Sequence, residues 1–228
     1  MSFRLAERLG RADLVTLANA VLGVAAVAVA LVGRLDLVAR LLLLAAIADG
    51  LDGIVARRYG GSAVGPTLDA MADVVSFGAA PAVFVLAVAR AGLPPVASDP
   101  TGYVLATAVA ALVVSFSLVR AAMYTVHFPG ETRRPGIQNT LLASILAAAY
   151  LAGLTEPIPV IILAAVLSVL QVAPVSYPKL RTRDAFAMGA VQFGAVVAPT
   201  LASRLFPRAL LLAAVAYSIL APKLYWGE

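Results

Sequence analysis

The sequence predicts an all-α integral membrane protein, a polytopic helical bundle of about eight transmembrane helices with a short N-terminal interfacial helix. Three observations lead there. Of 228 residues, 62% are hydrophobic and 13% charged, whereas a soluble domain is roughly 45–50% apolar and about 25% charged. The mean hydropathy is +0.96. Apolar stretches of membrane-spanning length recur along the whole chain, with no internal repeat or low-complexity linker between them.

The first 13 residues, MSFRLAERLGRAD, interleave Arg4, Arg8 and Arg11 with Phe3, Leu5 and Leu9. That alternation suits a short helix lying in the headgroup layer, not a cleavable leader. Residues 14–228 then form one membrane domain. Its candidate spans are Leu14–Val32, Asp36–Arg57, Pro66–Ala91, Tyr103–Val126, Ile137–Gly153, Pro157–Ala173, Ala185–Leu205 and Arg208–Trp226. Turn residues separate them, as in GLPPVASDPTG between the third and fourth.

Composition also excludes chemistry. The chain has no cysteine, so disulfides, thiolate metal sites and cysteine nucleophiles are ruled out. The one histidine, His127, rules out a histidine-cluster zinc site and reads as a solvated interfacial residue. The net charge of +5 rests on arginine. No basic run with interleaved aromatics indicates nucleic acid, so this charge is read as anchoring to anionic lipid headgroups. With the N-terminus inside, Arg4, Arg8, Arg11, Arg57, Arg58, Arg120, Arg133, Arg134, Lys179, Arg181, Arg183 and Lys223 fall on the cytoplasmic side. Arg34, Arg40, Arg90, Arg204 and Arg208 fall outside. This bias predicts a cell-membrane protein with a cytoplasmic N-terminus and an even number of spans.

Against that background the stretch DGLDGIVARRYGGSAVGPTLDAMAD stands out. It carries Asp49, Asp52, Asp69 and Asp73 between flanks apolar enough for the bilayer. Each ionised carboxylate at membrane depth costs about 2.5–3.5 kcal/mol on insertion scales, so four need neutralising. The i,i+3 and i,i+4 spacings put each pair on one helical face. Span two descends toward Arg57 and Arg58, and Gly60, Gly61, Gly65 and Pro66 turn the chain into span three. By helical rise, Asp49 and Asp52 lie roughly 9–13 Å above the base of one helix, and Asp69 and Asp73 roughly 5–10 Å above the start of the next. The expectation is a four-carboxylate cage in the cytoplasmic half of the membrane. Two divalent cations, Mg²⁺ or Mn²⁺, would suit it and would act on phosphate. Gly53, Ala56 and Gly65 leave room for a bulky ligand, and Arg57 supplies a fixed positive charge. Small residues in membrane helices also serve helix packing, and isolated acids line pores.

The pattern D-x2-D-G-x2-A-R-x7-G-x3-D-x3-D resembles the signature of the CDP-alcohol phosphotransferases, with all eight positions present: Asp49, Asp52, Gly53, Ala56, Arg57, Gly65, Asp69 and Asp73. The segment ADVVSFGAAPAVF, Ala72–Phe84, is similar to the family's serine phosphatidyltransferases, including archaeal ones, as is TLANAVLGVAAVAVA, Thr16–Ala30. Bacterial members often carry R-L-A-R-F-N after the fourth span. Here AAMYT follows Arg120, so Met123 stands at the second arginine.

The resemblance implies an enzyme that transfers a phosphatidyl-type group from a CDP-lipid to serine, releasing CMP, with the four aspartates as metal ligands. It makes Asp73 the candidate base as well, and puts Asp52, Gly53, Ala56, Arg57, Gly65 and Asp69 against the nucleotide. It further implies a homodimer. Ser76, Arg120, Arg133 and Arg134 are candidate acceptor-binding residues, with Gln138 and Asn139 held more weakly. Arg133, Arg134, Lys179, Arg181 and Arg183 also read as topology anchors, and Ser76 as a backbone-bonded membrane serine. Donor tails of diacylglycerol or archaeol, and glycerol 3-phosphate or inositol 1-phosphate as acceptor, stay open. An ion transporter is the rival of another class.

Overall fold

A computed structural model describes residues 8–127, 133–178, 180 and 182–224. The interfacial helix expected over residues 1–13 falls largely outside these, and α1 (Arg11–Leu31) already includes its last three residues. The other helices are α2 (Leu35–Tyr59), α3 (Gly65–Asp73), α4 (Ala80–Gly92), α5 (Thr101–His127), α6 (Asn139–Ala152), α7 (Pro157–Gln171), α8 (Thr182–Val197) and α9 (Leu201–Leu224). The helical bundle is therefore as expected. Four helical stretches are long and apolar enough to cross a bilayer: Arg11–Leu31, Gly65–Gly92, Thr101–His127 and Leu201–Leu224. α2 has the length, with 25 residues, but carries the charged residues of the motif, and α6 and α7 are shorter apolar helices. Large side chains such as Leu14, Val21, Val24, Val104, Leu212 and Ile219 point outward from the bundle. That is the pattern of a surface facing lipid, and the protein is a multi-pass membrane protein.

The bundle closes around α2, which packs against α1, α6 and α8. Leu42, Leu43, Phe84, Leu142, Ile145, Leu146, Ile161 and Leu210 fill the centre with essentially no exposure. Phe84 meets Tyr150 edge to face at 5.2 Å between ring centres. Beneath the acidic segment a smaller cluster of Ala45, Ala46, Phe77 and Ala143 packs between α2, α6 and the segment after α3. Alanine there keeps backbones close, which brings the acids of α2 within reach of neighbouring helices.

Three features depart from the expected spans. The third span is continuous from Gly65 to Gly92, but between Asp73 and α4 the chain widens into a π-helical segment, Val74–Ala79. Two glycines admit neighbours to that segment. A Cβ on Gly23 of α1 would lie 2.5 Å from Ser76 Oγ, and one on Gly78 would lie 2.8 Å from Ser117 Oγ of α5. α8 ends at Val197, short of the expected Leu205. Pro199 explains it, because proline lacks an N–H and biases the residue before it away from helix. Ala202, Ser203 and Arg204, near the start of α9, take positive φ angles of 45°, 57° and 66° and kink the chain there.

The third departure is a two-stranded antiparallel ribbon, a long-range hairpin whose connection contains α6 and α7. β1 (Arg133–Pro135) pairs with β2 (Ser176–Pro178), with Arg133 opposite Pro178 and Pro135 opposite Ser176. Gly136, at φ +74°, makes it possible, since a Cβ there would stand 1.9 Å from the Gln171 carbonyl oxygen. Its N–H donates to Val175 O at 2.8 Å, and Ile137 N–H donates to Leu170 O at 3.0 Å. The hairpin thus fixes the start of α6 against the end of α7.

Candidate active site

α2 supplies Asp49 and Asp52, and α3 supplies Asp69 and Asp73. Three of these converge. Asp49, Asp69 and Asp73, all half-buried, each offer a carboxylate oxygen within 4.8 Å of the others. Asp49 and Asp73 are close enough to hydrogen-bond to each other. Two carboxylates meet at that range only when a proton or a cation lies between them. Asp73 Oδ1 is buried and has no hydrogen-bond partner among the described residues. An orphaned carboxylate oxygen beside two further carboxylates is a set of hard oxygen donors, which fits Mg²⁺ or Mn²⁺.

The fourth carboxylate stands aside. Asp52 is 8% exposed and turns toward α1, where its Oδ2 accepts a hydrogen bond from Thr16 Oγ1 at 2.7 Å. The expected cage is therefore three carboxylates plus one held by a hydroxyl. Asp49 has a similar tether, since Thr140 Oγ1, in the first turn of α6, donates to its Oδ2 at 3.1 Å. Reasoning from sequence missed Thr16 and Thr140. Thr140 lies 91 positions from Asp49, and no local pattern marks a threonine that meets an acid across such a separation.

The small signature residues sit against polar groups of the chain itself. A Cβ on Gly53 would be 3.3 Å from Arg57 Nη1, so the exposed Arg57 guanidinium folds back over Gly53. Ala56 is half-buried on the same helix. A Cβ on Gly65 would be 3.2 Å from Oδ1 of Asp13, a buried acid on α1 that the sequence reading left unassigned.

The candidate acceptor residues lie in different settings. Ser76 is fully buried, and its hydroxyl donates to the Asn19 carbonyl at 2.9 Å. Arg120, 6% exposed, donates through Nη1 to Pro135 O at 2.7 Å and Gln171 O at 3.4 Å, and lies over the Tyr124 ring at 4.1 Å. Tyr124 also donates to Pro135 O. Arg120 therefore ties α5 to the hairpin and α7. Asn139 joins that tie, donating to Ser117 Oγ at 2.8 Å and accepting from Gln171 Nε2 at 2.9 Å. Gln138 is the exposed residue just before α6, and His127 is exposed at the end of α5. Arg133 and Arg134 contribute backbone to β1, while their side chains, with Lys179 and Arg181, lie outside the described residues. Arg183 is exposed, 3.8 Å from Asp184.

The CDP-alcohol phosphatidyltransferase family profile matches residues 9–220, nearly the whole chain and all of the acidic segment. The chain belongs to that family. It is also similar to the archaetidylserine synthase of Methanothermobacter thermautotrophicus, 28% identical over 171 residues that span 74% of this chain and 69% of that one. This CDP-alcohol phosphatidyltransferase is thus a membrane transferase of phospholipid synthesis, with a CDP-alcohol as donor and an alcohol as acceptor. The family uses divalent cations, and the Asp49–Asp69–Asp73 cluster is where this chain could hold them.

If Thr140 orients Asp49, Thr140→Val should raise the Mn²⁺ concentration for half-maximal CMP release by roughly 10–100-fold, the usual effect of losing a hydrogen bond that orients a metal-ligating side chain. Thr140→Ser should restore it. A metal titration unchanged in the valine variant would show that the hydroxyl does not position the carboxylate.

Proposed function

We propose that the enzyme transfers a phosphatidyl-type group from CDP-diacylglycerol or CDP-archaeol to L-serine, releasing CMP. The observation that carries the reaction is the convergence of Asp49, Asp69 and Asp73 within a complete family signature. Similarity to a protein named archaetidylserine synthase supports serine as acceptor and archaeol as tail.

In this reading the serine Oγ attacks the lipid-linked phosphorus, a new P–O bond forms, and the bridging P–O bond to CMP breaks with its electron pair leaving on CMP. Asp73 takes the hydroxyl proton. Asp49, Asp69 and Asp73, with Asp52 completing the set, hold the two cations, Mg²⁺ or Mn²⁺. Bound there, the cations would neutralise charge on the diphosphate. Thr16 and Thr140 hold Asp52 and Asp49 in fixed orientations. Asp52, Gly53, Ala56, Arg57, Gly65 and Asp69 line the nucleotide, with Arg57 swinging off Gly53 to meet a phosphate.

Acceptor binding involves Ser76, Arg120, Arg133 and Arg134, with Ser76 and Arg120 acting through the backbone they hold. The pairing of β1 with β2 sets Arg133 opposite Pro178. Two arginines in succession in β1 suit an acceptor bearing an anion. Serine's carboxylate satisfies that, and so does the phosphate of glycerol 3-phosphate or inositol 1-phosphate, the second reading.

The topology proposed with this function has eight crossings, α2, α6, α7 and α8 adding to the four long apolar spans. Residues 1–13 form an interfacial segment ahead of the transferase domain at 14–228. The N-terminus and the acidic site face the cytoplasm in the cell membrane, where serine and CMP dissolve and the donor's tails stay among membrane lipids. A homodimer is the proposed assembly.

A CMP-release assay with CDP-archaeol or CDP-diacylglycerol tests the acceptor. Serine should support turnover at least tenfold above glycerol 3-phosphate or inositol 1-phosphate, and the reverse order would replace serine. In the same assay, Asp73→Asn should lower kcat by on the order of 100-fold or more, the scale of general-base catalysis. Full turnover in that variant would remove Asp73 as the base.

A further inference from the structure

Asn19 is a polar side chain inside the bundle that neither the fold nor the site described above uses. It is 0% exposed, and both its Nδ2 and its Oδ1 are buried with no hydrogen-bond partner among the described residues. An amide left so, away from water, is costly, and buried polar groups in native proteins are paired. Asn19 lies on the buried stripe of α1 that runs through Asp13, Thr16 and Gly23 and packs against α2 and the third span.

Two contacts fix the level of that stripe against the third span. Asp13 Oδ1 lies 3.2 Å from where a Cβ on Gly65 would stand, and a Cβ on Gly23 would lie 2.5 Å from Ser76 Oγ. α1 and the third span therefore run in the same direction and nearly in step. Asp73, between Gly65 and Ser76 and nearer to Ser76, comes level with Asn19 and Ala20. α2 returns along α1 in the opposite sense, and the Thr16–Asp52 hydrogen bond at 2.7 Å places Asp49 one turn further along, again beside Asn19. The hydroxyls on either side donate elsewhere, Thr16 to Asp52 and Ser76 to the Asn19 backbone carbonyl at 2.9 Å. Asp73 Oδ1, buried and likewise without a partner among the described residues, is an acceptor still open at that level.

We propose that Asn19 is a positioning residue whose Nδ2 donates to the Asp73 carboxylate and holds it in the orientation that a cation requires. Both groups are unpaired while Asp73 bonds to Asp49, and the new bond forms as Asp73 turns from Asp49 toward a cation. A carboxylate oxygen has two lone pairs, so Oδ1 can take an amide N–H and still face the metal. A lysine or arginine here would compete with the cation, whereas a neutral amide orients the carboxylate and leaves its charge in place. The close approach of Ser76 to Gly23 pins this turn of α1 to the third span, which keeps the amide at the height of the carboxylate. The role rests on the reading of Asp49, Asp69 and Asp73 as cation ligands. The simpler alternative is that Asn19 only packs against the π-helical segment.

Calorimetric titration of the purified full-length enzyme with Mn²⁺, read beside its melting temperature, separates the two. Exchanging an unpaired buried amide for an apolar side chain of similar shape costs little or stabilises, so Asn19→Leu should keep or raise the Tm. It should also weaken Mn²⁺ binding by roughly 10–100-fold, the usual effect of removing a group that orients a metal ligand. Asn19→Ala adds no bulk and should show the same weakening, so it carries the test if the leucine variant does not fold. Unchanged Mn²⁺ affinity in a folded variant overturns the role. So does a leucine variant whose Tm falls along with its affinity, the mark of a structural brace. A wild type that takes up no Mn²⁺ would instead overturn the reading of the acids as cation ligands, and the role of Asn19 with it.

Discussion

Carboxylates repel one another, and most strongly where little water screens them. Asp49, Asp69 and Asp73, from α2 and α3, bring their oxygens within 4.8 Å of one another. Neither helix would hold such a grouping unless a proton or a cation sat between the acids. The rest of the molecule can be understood as scaffolding for that arrangement. The Gly60–Gly61 turn returns the chain into α3, which packs against α1 and α5, and the alanines around Phe77 let α6 approach closely enough for Thr140 to reach Asp49. Thr16 draws the fourth acid toward α1, so two helices outside the signature determine which way its carboxylates face.

A second polar layer holds the framework in register. Arg120, Tyr124, Ser117, Asn139 and Gln171 link α5, α6, α7 and the hairpin through hydrogen bonds buried among apolar side chains. Away from water each of those groups would be costly without its partner. Thr140 follows Asn139 directly, so the network that fixes the start of α6 also fixes the hydroxyl on Asp49. A path of hydrogen bonds and one helix start therefore joins the hairpin to the Asp49–Asp69–Asp73 cluster.

Much of this was legible in the sequence. The apolar stretches located most helices to within a few residues, the junction of α8 and α9 excepted, and the spacing of four aspartates pointed to the acidic cluster. What escaped depended on contacts between distant segments. Thr16 and Thr140 carry no local mark. Asp13 sits beside the motif in space but 36 positions before Asp49 in the chain. The hairpin was hidden because its strands have three residues each and are held by a glycine pressed against a carbonyl, not by alternating hydrophobicity. Arg120 is a candidate for the acceptor on sequence grounds alone, and its hydrogen bonds to the Pro135 and Gln171 carbonyls, 15 and 51 positions away, had no local mark. Pro199 shortened α8 through a signal that was present but outweighed by the apolar residues on either side.

The account stands on cations held between those acids. Titrating purified enzyme with Mn²⁺ while following the free-ion electron paramagnetic resonance signal measures it directly. Two saturable sites per chain are predicted, lost when Asp49 and Asp69 are both changed to asparagine. No saturable binding in the wild type, or an unaltered isotherm in the double variant, would contradict it.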